Sequence, residues 1–287
     1  MLRTFNIGTL NVHDLSLPPN GYIFHDAQGL GFPDIRQVVY DKPGEDGQIV
    51  DAERYGGRIL TLSGEVFGST STSYIAARKA LVYASRLQRD SLNLPVGTSL
   101  TFSTLDGATY FATGYLKPPF HCDGPLPNSC PFQISFLCPD PAIYSTTLLT
   151  TGQFSRPSGG GAVFPPPFPI TFEGATGGVG YFTNTGSMDT WPLLYLRGVH
   201  TNPRIMAQER GVALQLNYTS LPTDTIIVDM KNRTIMLNGV TSLIDNKVAG
   251  TDFFSAVPDV NTFRLTSSSA GDTGTAELTA YSAYLTV

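Results

Sequence analysis

"FLCPDPAIY", Phe136–Tyr144, closes an alternating run that it cannot extend. Pro139 and Pro141 each lack the backbone N–H that a sheet interior requires. The run leading into it, "PFQISFLC", sets Phe132, Ile134 and Phe136 on one side, as a half-buried strand does. The chain has 287 residues, a length suited to about two domains, so a hard stop near its middle reads as a boundary between two β-rich halves. Beyond the stop, "TTGQFSRPSGGGAVFPPPFPITF" combines flexible glycines with a proline run that favours extended geometry. The expectation is an N-terminal β domain over residues 1–146 and a second β domain over 147–287, with 147–170 as linker and first strand.

Upstream of the stop, "RILTLSGEVFG" (Arg58–Gly68) alternates with Leu60, Leu62 and Val66 on one face and predicts a strand. "STSTSYIAARKALVYASRLQRD" offers Ser and Thr as caps, and Tyr74, Ile75, Arg78, Leu81, Val82, Ser85 and Leu87 trace a mostly apolar stripe at helical spacing. One long helix over about 72–89 follows from that pattern. Asp106-Gly107 lies between two β-prone arms and predicts a two-residue hairpin turn with positive φ angles. The second half carries no helical pattern and six short strand-like runs, among them "WPLLYLRG" and "DTIIVDMKNRTIMLNG", where Lys231-Asn232 marks a tight turn. Two sheets closing as a sandwich is the natural arrangement.

Charged residues make up only 14%, against 29 Gly, 21 Pro, 17 Phe and 13 Tyr, a composition that can bury a β-rich core. A net charge of −5 without a Lys/Arg cluster argues against holding a nucleic-acid backbone. The N-terminus shows no signal-peptide core and no run is apolar enough to span a bilayer, so synthesis and folding in a cytoplasm are expected. The triplets at Asn217 and Asn232 read as chance occurrences rather than glycosylation sites for the same reason. Cys122, Cys130 and Cys138 are spaced at intervals of eight, but no CxxC occurs and His121 is the only nearby imidazole. Buried free thiols are the preferred reading, with Cys122 and Cys130 able to face each other across a loop.

Catalytic motifs are lacking: there is no G-x-S-x-G, H-E-x-x-H, P-loop or dinucleotide fingerprint, and "GGVGYF" at Gly177 reads as a turn. No carboxylate pair stands out, and neither an enzymatic activity nor a cofactor is expected. The most suggestive constellation is "VHTNPRI", Val199–Ile205. On a strand His200, Asn202 and Arg204 would share one face and offer hydrogen bonds to sugar hydroxyls, matching an H-x-N-P-R signature of galectins. The lone Trp191, a candidate stacking partner, precedes the motif instead of following it. A strand edge shaped by Asn202 and Pro203 is the plainer alternative.

Taken together, these stretches resemble the distal tail proteins of long-tailed, non-contractile bacteriophages. The resemblance runs through "GYIFHDAQGLGFPDIRQVVYDKPGEDGQIVDAERYGGRILTLSGEVFG", the helix with "ARKAL", "FLCPDPAIY", "NTGSMDTWPLLYLRG", "NPRI" and "IIVDMKNRTIMLNG". It implies a mainly β fold: an N-terminal β-barrel-like domain with one flanking helix, then a galectin-like β-sandwich. It also implies an architectural role in the virion, after assembly in the host cytoplasm. Six copies would form a ring joining the tail tube protein to the tail-tip hub, with tape measure and receptor-binding proteins as further partners. DNA would pass through the ring without being specifically bound. The connection Asp41–Gly57 is the candidate for reaching a neighbour, through Pro43, Gly44, Glu45, Asp46, Gly47 and Tyr55; an ordinary hairpin loop is the alternative. A carbohydrate-binding protein recognising cell-wall glycans is the rival function.

Overall fold

In the computed structural model, residues 2–16, 21–122, 128–157 and 178–287 are described. Residues 123–127, the glycine- and proline-rich part of the connector from Ser158, and Gly177 lie outside them; the rest of "GGVGYF", read as a turn, is strand from Val179 onward. The chain divides into two compact units, Met1–Thr146 with Tyr284–Val287, and Thr147–Ala283.

The first unit contains β1 (Leu2–Ile7), β2 (Leu10–Asp14), β3 (Tyr22–Gln28), β4 (Ile35–Asp41), β5 (Gln48–Tyr55), β6 (Arg58–Phe67), α1 (Ser71–Ser85), β7 (Gln88–Arg89), β8 (Pro95–Val96), β9 (Thr98–Thr104), β10 (Thr109–His121), β11 (Ser129–Cys138) and the start of β12 (Ile143–Thr150). β10 is shared between two sheets. Its first half pairs with β9 and β12, extending the order β2-β1-β9-β10-β12, and its second half pairs with β11, which leads on to β6 and β3. Between these sheets lie Phe5, Ile7, Leu60, Leu62, Leu100, Phe102, Ile134 and Phe136, all essentially without solvent exposure. The alternation read at Arg58–Phe67 and Ser129–Cys138 supplies this core, because every second side chain of a strand faces the same way.

Three local expectations change. The helix stops at Ser85, where Arg86 turns extended and Gln88–Arg89 form a short ribbon with β8. Its start is as the Ser/Thr run implies: Thr70 and Ser73 form a reciprocal capping box. Only part of the stripe is core, for Tyr74, Leu81 and Ser85 are buried while Ile75, Val82 and Leu87 are exposed. Tyr74 and Leu81 stand two turns apart on the inner line, and Ile75 and Val82 repeat that spacing one position further round. At the Asp106-Gly107 hairpin only Gly107 takes positive φ (87°). Gly107 N–H donates to Thr104 O and Thr104 N–H to Ala108 O, giving a three-residue loop with a bulge rather than a two-residue turn.

The double-proline break at 139–142 lies within the first unit, and the chain resumes as β12 alongside β10, with Tyr144 opposite Phe111. The division itself falls inside β12. The described start of the expected linker is therefore strand, a consequence of the β-prone "IYSTTLLT" run.

The second unit holds β13 (Phe154–Ser155), β14 (Val179–Asn184), β15 (Leu193–Arg197), β16 (Arg204–Ala207), β17 (Val212–Gln215), β18 (Thr225–Asp229), β19 (Thr234–Leu237), β20 (Thr241–Ser242), β21 (Asp259–Thr266) and β22 (Thr275–Tyr284). One sheet runs β22-β15-β18-β19-β20 and the other β14-β21-β16-β17. Their inner faces meet in a core that includes Leu194, Leu196, Ile205, Ile226, Val228, Phe263 and Leu278. Phe263 lies between Phe182 and Phe254 at ring separations of 5.2 and 5.8 Å. In the β18–β19 hairpin the left-handed residue is Arg233 (φ 55°), not Asn232. Asp229 closes that turn by accepting the N–H groups of Lys231 and Asn232, which leaves the positive φ to the following residue.

Candidate functional site

β4 and β5 pair only with each other among the described residues, in the register Ile35↔Tyr55 to Asp41↔Gln48. The turn closes through Lys42 N–H to Gly47 O at 3.1 Å, with Gly44 and Gly47 at positive φ. Gln37 donates to Glu53 at 2.7 Å and Gln48 to Asp41 at 2.9 Å, which fastens the two strands along their length. The connection read as a loop from Asp41 to Gly57 is thus mostly strand, and only 42–47 form its tip. Tyr55 ends β5 at the base of the ribbon, while Pro43, Gly44, Glu45, Asp46 and Gly47 are exposed at the tip. Every residue of β4 is exposed, as is every residue of β5 except the half-buried Ala52.

A two-stranded ribbon with both faces in water is marginal by itself. This one displays Val38, Val39, Tyr40, Ile49 and Val50 to solvent, so a covering surface would recover apolar burial that the isolated subunit forgoes. Its base is firm. Gly56 N–H donates to Asp34 O, and Gly57 passes so close to the next strand that a Cβ there would come within 2.8 Å of Cys138 O.

Immediately beyond stands Arg58, only 2% exposed, on the same inward face as Leu60 and Leu62. Its guanidinium donates to Gly29 O at 3.0 Å, Gly31 O at 3.1 Å, Leu285 O at 2.7 Å and, through both Nε and Nη2, to Pro141 O. Burial lowers its pKa from the ordinary arginine range. The sequence contained the signal for this residue, since a charged side chain at a core-facing position of an alternating strand must find buried acceptors.

The H-x-N-P-R positions do not present one face. β16 begins only at Arg204; Asn202 sits in a turn at φ 51°, so the alternation assumed across 200–204 is broken before the strand starts. His200 is 1% exposed, with its N–H donating to Ser220 Oγ and Nε2 3.3 Å from Thr275 O. Burial pushes its pKa down, which favours a neutral imidazole. Thr201 beside it donates from N and Oγ1 to the Asp272 carboxylate at 2.6 and 2.9 Å. Arg204 is half-buried opposite Gln215 and Thr266, whereas Trp191 precedes β15 of the other sheet. The four residues are not brought together as a sugar platform.

Cys122, Cys130 and Cys138 are free and buried, and the first two face each other with sulfurs 3.0 Å apart. Burial pushes the Cys122 thiol up to about 12 and Cys138 up to about 11, which suppresses the reactive thiolate. Among the described residues no three His, Cys, Asp or Glu side chains converge to hold a metal ion, and no helix is long and apolar enough to cross a membrane.

Residues 185–279 match the family model of the siphovirus-type tail component, C-terminal domain. Comparison with curated protein sequences yields no match. Among solved structures the chain is similar to the Dit protein of phage SPP1, described as a paradigm of the hub adsorption apparatus in phages infecting Gram-positive bacteria. The identity is 17% and the TM-score 0.63, over 91% of this chain and 93% of that one. A chain of the phage p2 baseplate in its activated conformation with calcium gives 12% identity and a TM-score of 0.52, over 97% and 98% of the two chains. The strontium form of that baseplate gives 11% and 0.51, over 96% of each chain. The matched family is a structural tail component and not an enzyme family. Residues 185–279 thus match a siphovirus-type tail component domain in sequence, and the chain as a whole has a fold similar to that of the SPP1 Dit protein.

Proposed function

We propose that six copies of the chain close head-to-tail into a ring at the tip of the virion tail, joining the tail tube protein to the hub, with the genome passing through the centre. The observation that carries this reading is the β4–β5 ribbon, exposed on both faces and bearing apolar side chains that an isolated subunit leaves in water. A ring uses two different surfaces of one subunit, and a projecting ribbon supplies one of them. The hub role described for the SPP1 Dit protein and the baseplate setting of the phage p2 chain support the placement. Hub, tape measure and receptor-binding proteins are then the neighbours, and assembly takes place in the host cytoplasm. A net charge of −5 suits a conduit through which DNA moves without being held. The carbohydrate reading gains no support from a buried His200 and a turn at Asn202.

Native mass spectrometry with negative-stain imaging tests the proposal. The wild type is expected to give a six-fold ring. Replacing Tyr40–Ile49, a register-paired segment, with an Asn-Gly turn is expected to leave a folded monomer. A ring that survives this shortening, or a wild type that closes with another symmetry, would count against the reading.

A further inference from the structure

On the first unit, one flank of α1 stands away from the β1–β2 hairpin and leaves a groove along the helix. At the C-terminal end of α1 it opens to about 950 Å³, lined by Leu10, Lys79, Tyr83, Arg86, Leu87 and Arg89 among others. Towards the N-terminal end it continues as a second cavity of about 790 Å³ that shares Thr9, Leu10 and Ala80 with the first and adds Asn11, Ser73 and Ala77. Among the described residues of its lining, the wider end carries three cations and no acidic residue. Arg86 lies over the Tyr83 ring at 3.9 Å and Arg89 donates to Asn93 O, so neither cation is neutralised by those contacts. Tyr83 and Leu87 are 64% and 67% exposed and set apolar surface beside these cations.

We propose that this groove receives the β4–β5 ribbon of a second copy of the chain, the acidic tip meeting Lys79 and Arg86 and one ribbon strand lying along β2. The inference rests on the ring reading and names the acceptor surface that it requires.

Three features of the two surfaces match. The first is length: α1 has 15 residues, about 22 Å at 1.5 Å per residue, and β4 has 7, about 23 Å at 3.3 Å per residue. The second is charge. From Asp41 to Glu53 the ribbon carries the carboxylates Asp41, Glu45, Asp46, Asp51 and Glu53 against the single cation Lys42, opposite in sign to the groove. The third is the backbone. Among the described residues β2 is the last strand of its sheet, paired only with β1, and its first residues Leu10 and Asn11 line the groove. An incoming strand there meets unpaired peptide groups, which is how a sheet edge accepts a strand from another chain. The subunit's own ribbon is exposed along its length and so leaves its own groove open. Donor and acceptor are therefore different surfaces of one subunit, the condition for head-to-tail closure.

The test uses two full-length variants, one with Lys79→Glu and Arg86→Glu in the groove, the other with Glu45→Lys, Asp46→Lys and Asp51→Lys in the ribbon. Each alone faces like charge with like, and its self-association is expected to weaken by about a hundredfold or more in sedimentation velocity. Mixed in equal amounts, the acidic groove of one variant takes the basic ribbon of the other and the two unaltered surfaces also match, so alternating rings are expected to reappear. Variants that assemble like the wild type overturn the contact while leaving the ring intact. Loss in each variant without recovery on mixing also overturns it. A wild type that stays monomeric throughout removes both the contact and the ring.

Discussion

Replacing Arg58 with Met removes a charge from the interior while keeping most of the aliphatic volume, and it separates the role of the guanidinium from that of its stem. In the native unit five N–H···O contacts from this one side chain reach four carbonyls, those of Gly29, Gly31, Pro141 and Leu285. Each acceptor left unpaired in a dry environment costs about 1 kcal/mol, so the variant is expected to lose about 3–5 kcal/mol. For a unit of this size that corresponds to a Tm lower by ~10 °C. Differential scanning calorimetry of the whole chain reads the loss as a downward shift of the first unit's transition, with the second unit's transition unmoved. Arg58→Lys is expected to fall between, because an ammonium can reach only part of a set arranged for a planar fork. A Met variant within about 2 °C of the wild type, or a Lys variant equal to Arg, would show that the carbonyl network contributes little, refuting the argument.

Two further outcomes follow from the second unit. His200 is buried with its pKa below the ordinary 6.5, so the unfolded chain binds a proton that the folded chain resists. Stability contributed by the neutral ring is therefore present above about pH 6.5 and declines as pH falls below it. His200→Gln is expected to flatten that decline in urea titrations between pH 7 and 5; an unchanged slope would assign the dependence elsewhere. At Gly274 a Cβ would stand 2.3 Å from His200 Nε2, within a ring that has no room to withdraw. Gly274→Ala is accordingly expected to cost about 2–3 kcal/mol by overpacking, seen as a lower midpoint for the second unit only, and a neutral result would mean that the His200 ring moves freely.

The features legible in the sequence are those whose pattern and environment agree. Arg58–Phe67 and Ser129–Cys138 alternate because one face of each is core, and the helix start at Thr70 was visible as a capping run. β5 was missed for the opposite reason: both of its faces meet solvent, so "QIVDAERY" carries no one-sided apolar alternation to identify it. In the H-x-N-P-R motif a shared face for 200, 202 and 204 requires alternation across Asn202, whose left-handed backbone lies before the strand and is invisible to a residue count, and the strand-edge alternative needs no such alternation. The inward His200 gave no local signal, since its partners Ser220 and Thr275 are 20 and 75 residues away. Arg58 was legible in principle from its phase with Leu60 and Leu62, although its acceptors come from three separate stretches of chain.

Those acceptors give the family-like stretches a common physical purpose. "YGGR" and "FLCPDPAIY" are far apart in sequence, yet Gly57 fits against Cys138 and Pro139 and Arg58 is bound to Pro141 O, so the two form one junction. That junction lies at the root of the β4–β5 ribbon, where Asp34 O receives Gly56 N–H. A ribbon that docks on another subunit, as proposed above, gains from a fixed point of departure, because an arm anchored in one direction loses less freedom on binding than one that swings. The double proline serves the same end: by ending β11 at Cys138 it frees the Pro141 carbonyl from the sheet ladder to accept the guanidinium. The hard stop in the sequence is thus the means by which an exposed arm is held on a rigid base.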